Sequence, residues 1–226
     1  MRLRKLHSWQ VSIAEAREIQ LRFAGQPVLS GNPKDVKRVA GTDVSVMGQS
    51  GSARAVAVVL DYPSLAVVDL AAIEGELVFP YVPGLLSFRE IPLLAQAFKR
   101  LTIEPDLIIV DGQGYAHPRR FGLASHLGLL LDRPTVGCAK SRLCGTCNEP
   151  GMQAGEWCEL ADDGVVIGAV VRTKTGSKPL YVSCGHRIGL SSAVQWVLDC
   201  CRGYRIPEPT RVAHLASKGR LTAIKL

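Results

Sequence analysis

Three closely spaced apolar segments, followed by a strand-helix-strand-helix-strand succession, predict an α/β fold. Its centre is one mixed sheet, three antiparallel strands plus parallel strands, flanked by helices. The antiparallel trio is read from residues 36–46, 53–60 and 66–73, which alternate or run apolar and are parted by Gly48-Gln-Ser-Gly51 and Asp61-Tyr-Pro-Ser64. The parallel part is read from Leu107-Ile-Ile-Val110, an apolar run bounded by Pro105 and Gly112, as expected of a strand buried on both faces.

The remaining elements follow in chain order. Ser12-Ile-Ala-Glu15 is a capping box that opens an amphipathic helix to about Phe23, after which Gly25, Pro27, Gly31, Asn32 and Pro33 make a loop. Residues 87–101 and 121–131 read as helices on either side of the 107–110 strand, and 135–139 reads as the next strand. A loop rich in Gly, Cys and Pro (144–155) precedes strands at 164–172 and 180–183, and helices at 191–202 and 210–218 close the chain. With no repeat, low-complexity tract or break in composition, residues 1–226 are expected to form a single domain.

Composition narrows the class. The chain is 47% hydrophobic and 21% charged, and no apolar run approaches the ~20 residues that span a bilayer, so no membrane association is expected. Met1-Arg-Leu-Arg-Lys-Leu-His7 is basic but is not followed by an apolar stretch, which argues against a secretory signal and for the cytoplasm. Lys and Arg total 27 against 20 Asp and Glu, and the net charge of +7 favours a polyanionic partner. Cysteines 138, 144, 147, 158, 184, 200 and 201 form an odd, scattered set that fits reduced thiols. Cys144-Gly-Thr-Cys147 has the spacing of half a zinc site, with Cys138 or Cys158 as completing ligand, but a second such pair is missing.

Asp111 ends the 107–110 run and opens into Gly-Gln-Gly-Tyr-Ala-His-Pro-Arg-Arg120. Alone it reads better as a turn cap; at the carboxyl end of a parallel strand it stands where open α/β sheets bind ligands. Asp43 lies inside the first strand, and is either an outward-facing edge residue or a buried charge that needs a partner. Two such carboxylates on neighbouring strands would suit Mg²⁺ or Mn²⁺. Glu90 reads as the last residue of a capping box, Ser87-Phe-Arg-Glu90, or as a third carboxylate at the same site. Pro80-Tyr81-Val82-Pro83 is stiff and offers Tyr81 as a flat stacking face, either folded onto the core or used as a wedge in nucleic acid. Lys140, just past the 135–139 strand, would place an ammonium near Asp111, and His214 could hold or move a proton, a role for which His117, His126 and His186 compete.

The segments 80–90, 110–126 and 134–140, with Gly185-His-Arg187 and Pro207-Glu-Pro-Thr-Arg211, together closely resemble endonuclease V, in family order from about Val39 through Ala216. The resemblance implies a ribonuclease-H-like fold, a layout that the order of elements also suggests. It implies cleavage of DNA containing deoxyinosine at the second phosphodiester bond 3′ to the lesion, with inosine-containing RNA as the alternative substrate. Carried over by motif, Asp43, Glu90 and Asp111 would be the acidic Mg²⁺ cluster (with Mn²⁺ as its substitute), supported by Lys140 and His214, and Pro80, Tyr81, Val82 and Pro83 the strand-separating wedge. Gly84, Leu86, Gly112, Gly114, His117, Gly122 and Leu143 would build the lesion pocket of a monomeric enzyme. Thr42, Val46 and Cys184 depart from the residues usual in the family, without removing a ligand, and the recurrence of Leu143-Cys144-Gly145 in the family weighs against zinc. A related structure-specific nuclease, or a non-catalytic inosine-binding protein of the same fold, is the rival reading; the intact acidic trio argues against the latter.

Overall fold

The computed structural model describes residues 1–48 and 51–221, so the turn expected at 48–51 falls across residues 49–50, outside the described part. In chain order the elements are α1 (Ile13–Phe23), β1 (Arg38–Val46), β2 (Ser52–Asp61), β3 (Val67–Glu76), α2 (Leu86–Arg100), β4 (Leu107–Val110), α3 (Leu123–Leu131), β5 (Thr135–Ala139), β6 (Trp157–Asp162), β7 (Val165–Val171), β8 (Leu180–His186), α4 (Leu190–Asp199) and α5 (Glu208–Ser217). Among the described residues, eight strands form one sheet in the order β3-β2-β1-β4-β5-β8-β7-β6. β1, β2 and β3 are antiparallel, β1, β4 and β5 run parallel, and β8, β7 and β6 return antiparallel. This is the mixed α/β sheet that the sequence predicts.

β4 and β5 are buried at every residue, because helices cover both faces of the sheet. α2 and α3 bury Ile91, Leu94, Phe98 and Leu127 in one core with Ala57, Val59 and Ile108. On the opposite face Val197 of α4 and Val212 of α5 join Val58 and Ile109. Each such large apolar side chain contributes roughly 1.5–3 kcal/mol when fully buried. α5 lies unusually close to β1, since a Cβ on Gly41 would stand 2.0 Å from the Pro209 carbonyl oxygen. Only a glycine admits that approach, and it brings the far end of α5 over the carboxyl end of β1.

Two expectations need correction. The capping box at 87–90 does not form: the N–H of Leu85 donates to the Val82 carbonyl at 2.9 Å, and this turn launches α2 at Leu86, so Ser87 lies within the helix and Glu90 beyond its first turn. β6 was not expected, because an edge strand needs to bury little, and Leu160 is its one fully buried residue. The capping box of α1 is present, with Ser12 N–H donating to Glu15 at 2.7 Å and Glu15 N–H to Ser12 Oγ at 3.3 Å. Among the described residues no helix is long and apolar enough to cross a membrane.

Candidate active site

Asp43 and Asp111 stand side by side where the parallel β1–β4 ladder ends. Thr42 pairs with Val110 in the β1–β4 ladder, so the residues that follow them stand side by side. Asp43 is therefore central rather than on an edge, and its Oδ2 is held by α5. His214 Nδ1 lies 3.3 Å away, the Ser217 hydroxyl donates to the same oxygen, and Ser45 Oγ, on β1 itself, donates at 3.2 Å. Asp111 Oδ2 is bonded by the Lys140 ammonium, which β5 delivers from the neighbouring parallel strand. Lys140 and His214 remain 43% and 46% exposed, so both can be reached by a substrate.

Glu90, on α2, completes the acidic group electrostatically. Burial, reinforced by the negative charges of Asp43 and Asp111, pushes its carboxyl up to about 8. Burial also raises Asp111, against the pull of Lys140. Three carboxylates, of which Glu90 and Asp111 are pushed toward the neutral form, are a hard-oxygen donor set of the kind that Mg²⁺ or Mn²⁺ compensates, so the residues fit such an ion in chemistry. Their spacing is not that of a closed shell: among the described residues no group of three His, Cys, Asp or Glu is arranged to hold a metal ion.

Beside the carboxylates opens a cavity of ~330 Å³ whose wall includes Tyr81, Val82, Pro83, Gly84, Leu86, Asp111, Gly112, His117, Gly122, Lys140 and Leu143. It thus unites most of the expected pocket with part of the expected wedge and with two residues of the charged site. Two helices begin on this wall, α2 at Leu86 and α3 at Leu123, and neither carries a side-chain cap. The Ala124 N–H of α3 already donates to the Gln113 carbonyl at 2.9 Å, so it is chiefly the helix dipoles that favour an electronegative ligand edge. Tyr81 is 71% exposed and projects from the loop, which Arg89 anchors by donating to the Phe79 carbonyl at 2.6 Å. Pro80, also exposed, is not part of the wall.

The Gly84 carbonyl accepts three hydrogen bonds, from Gln20 Nε2 at 2.9 Å, His117 Nε2 at 2.9 Å and Arg119 Nη2 at 3.0 Å. His117 Nδ1 accepts from the Arg119 backbone N–H at 3.1 Å, so both ring nitrogens are committed, and burial pulls the imidazole down to about 4. His117 is a neutral brace of the Gly84 turn. Gly114 does not line the cavity: it packs against β8, where a Cβ would meet the Cys184 carbonyl oxygen at 2.2 Å. Gly114→Ala is expected to lower stability by at least about 1–3 kcal/mol, seen as a lower Tm in thermal melts; an unchanged Tm would refute this packing role.

The family model of endonuclease V matches residues 22–215. The chain belongs to the endonuclease V family. A relative from Gloeobacter violaceus, an endonuclease V, is 55% identical over 212 residues, covering 92% of this chain and 86% of its own. The Streptomyces avermitilis endonuclease V structure superposes with a TM-score of 0.88 at 43% identity, over 95% of each chain. A Ciona intestinalis endonuclease V, solved with a 24mer DNA containing an inosine followed by a ribo-adenosine, gives a TM-score of 0.83 at 31% identity, over 92% of this chain and 97% of that one. The protein is thus a nuclease by family.

In this endonuclease V several site residues escaped sequence reasoning. Ser217 holds Asp43, and its spacing of three from His214 on one helix face was the available signal. Gln113, buried against the cavity, donates from Nε2 to the Ser141 carbonyl at 2.9 Å and so ties the Asp111 loop to the Lys140 loop. Arg205 donates to the Lys140 carbonyl at 3.0 Å and to those of Lys178 and Pro179. Cys144, Cys147 and Cys158 are free thiols packed on the small core of Ala116, Leu160, Ile167 and Val170, with Cys158 donating to the Asn148 carbonyl at 2.8 Å.

Proposed function

We propose that this endonuclease V recognises hypoxanthine in DNA and hydrolyses the second phosphodiester bond 3′ to it, leaving 3′-hydroxyl and 5′-phosphate ends. The ribonuclease-H-like arrangement of strands would set the carboxylates against the backbone. The observation that supports this best is the single wall shared by the cavity and the acidic site, since a base held in one lies beside its own backbone at the other. The cavity is of a size for one flipped base. The start of α2 on its wall, which carries no side-chain cap, would supply donors to O6 of hypoxanthine, a position at which adenine presents an amino group instead.

Asp43, Glu90 and Asp111 would hold Mg²⁺, or Mn²⁺ in its place. When bound, such an ion supplies positive charge against the scissile phosphate and eases deprotonation of the attacking water. The chain's own groups do the rest. Lys140 Nζ, already at the Asp111 carboxylate, adds positive charge as the pentacovalent phosphorus builds up negative charge. Ser217, Ser45 and His214 all address Oδ2 of Asp43, which fixes the carboxylate's rotation. His214 Nδ1 lies 3.3 Å from that oxygen, and the exposed ring would orient water. Tyr81 would fill the gap left by the displaced base, with Pro80 and Pro83 limiting the loop's give. Cleavage of matched hypoxanthine and adenine duplexes in Mg²⁺ tests the reading; equal cutting, or none, would refute it. Tyr81→Ala is expected to weaken the preference for hypoxanthine about tenfold through lost stacking, read from competition binding; an unchanged preference would remove the wedge role.

The second reading is cleavage of inosine-containing RNA. The ribo-adenosine next to the inosine in the Ciona intestinalis complex favours testing it. Side-by-side cleavage of DNA and RNA oligonucleotides of one sequence separates the two readings.

A further inference from the structure

A chain of hydrogen bonds, exposed at Ser8 and buried at Ser87, runs from the N-terminal segment to the cavity wall. His7 Nδ1 lies 2.6 Å from the Ser8 carbonyl oxygen, His7 Nε2 lies 2.7 Å from His126 Nε2, and His126 Nδ1 lies 3.1 Å from Ser87 Oγ. His126 is 0% exposed and Ser87 1%. Trp9 stacks on His126 at 5.1 Å, and Phe88 and Phe121 pack around it at 5.3 and 4.9 Å. Ser87 is one of the residues that line the cavity, and its hydroxyl is the last group of this chain.

Each link has one possible direction. A carbonyl only accepts, so the proton of His7 sits on Nδ1 and its Nε2 is a lone pair. His126 must then donate from Nε2, which leaves Nδ1 as an acceptor, and only the Ser87 hydroxyl can fill it. These directions hold with both rings neutral, the form that burial favours in each. The hydroxyl hydrogen of Ser87 is thereby committed away from the cavity, and its oxygen can act only as an acceptor.

We propose that Ser87 is a specificity-determining residue whose oxygen accepts the N1–H of a hypoxanthine base, its polarity being set from a distance by His126 and His7. This rests on the cavity being the hypoxanthine pocket. Adenine presents a lone pair at N1 and would meet the Ser87 oxygen lone pair to lone pair. The two histidines are positioning residues, because they act through Ser87 without touching the base.

The test measures binding by fluorescence anisotropy, without divalent ions, to DNA carrying hypoxanthine or unsubstituted purine, which has no N1–H, at one position. Ser87→Ala is expected to weaken hypoxanthine binding about tenfold and leave purine binding unchanged. His7→Phe, which keeps the aromatic packing but removes the final acceptor, is expected to lose part of the same preference. ¹⁵N spectra of labelled histidine should show His126 protonated at Nε2 alone in the wild type, with the proton moved toward Nδ1 in His7→Phe. Full preference retained by Ser87→Ala, equal loss on both strands, or a wild-type His126 protonated at Nδ1 would overturn the role of Ser87. Equal binding of both strands by the wild type would instead overturn the hypoxanthine pocket itself.

Discussion

Asp111→Asn is expected to lower the rate of strand cleavage by about 10³-fold or more while affinity for the same strand stays within a few-fold or tightens. Asparagine keeps the shape of the side chain, so neither β4 nor the cavity wall has to move. What is lost is one negative charge, and with it the counter-charge of Lys140 and one of the oxygens available to a cation. The unpaired ammonium is 43% exposed and stays solvated, so the fold is not expected to suffer. Binding is spared for a related reason: the carboxylates repel the phosphate that must approach them, and removing one reduces that repulsion. Single-turnover cleavage together with equilibrium binding separates the two effects. Undiminished cleavage by both Asp111→Asn and Asp43→Ala in Mg²⁺ would remove the acidic cluster from the mechanism.

The ease with which parts of this site were read depends on how local their signals are. Asp111 was legible because the apolar run before it marks both the strand and its end. Asp43 became legible only as a second carboxylate, since a single charge in a strand fits an edge position equally well; the pairing of β1 with both β2 and β4 settles it as central. Glu90 carried two local meanings, and the capping-box meaning failed because the preceding Val82–Leu85 turn starts the helix early. Gly114 has the same look in sequence as Gly112, yet one packs against the Cys184 carbonyl and the other lines the cavity, a difference made by β8, some 70 residues away in the chain. Gln20 and Gln113 act on backbone carbonyls of distant loops, and no spacing announces such contacts. β6 stayed hidden because an edge strand can be half polar and still pair.

Glu90→Gln should separate the stability of the fold from the chemistry of the site. The folded-state pKa of Glu90 is raised to about 8 from an ordinary value of 4.5. Below pH ~4.5 the carboxyl is protonated whether the chain is folded or not, so it adds no pH dependence. Between ~4.5 and 8 the unfolded chain releases the proton while the folded one keeps it, and stability falls as the pH rises. Above 8 both states are ionised and the whole cost of burying the charge beside Asp43 and Asp111 is present. Glutamine keeps the volume without the charge, so the metal-free variant is expected to melt at a higher temperature than wild type at pH 8–9, by several degrees, and at nearly the same temperature near pH 4.5. Cleavage in Mg²⁺ should fall by about 10²-fold or more, since a carboxylate oxygen is withdrawn from the donor set. Saturating Mg²⁺ should narrow the difference in melting temperature, because a cation stabilises the ionised wild-type site and not its amide copy. A metal-free variant less stable than wild type at pH 8–9 would show that Glu90 is held by favourable contacts rather than strained by its neighbours' charge. Full cleavage activity would show that its carboxylate is not needed for the reaction.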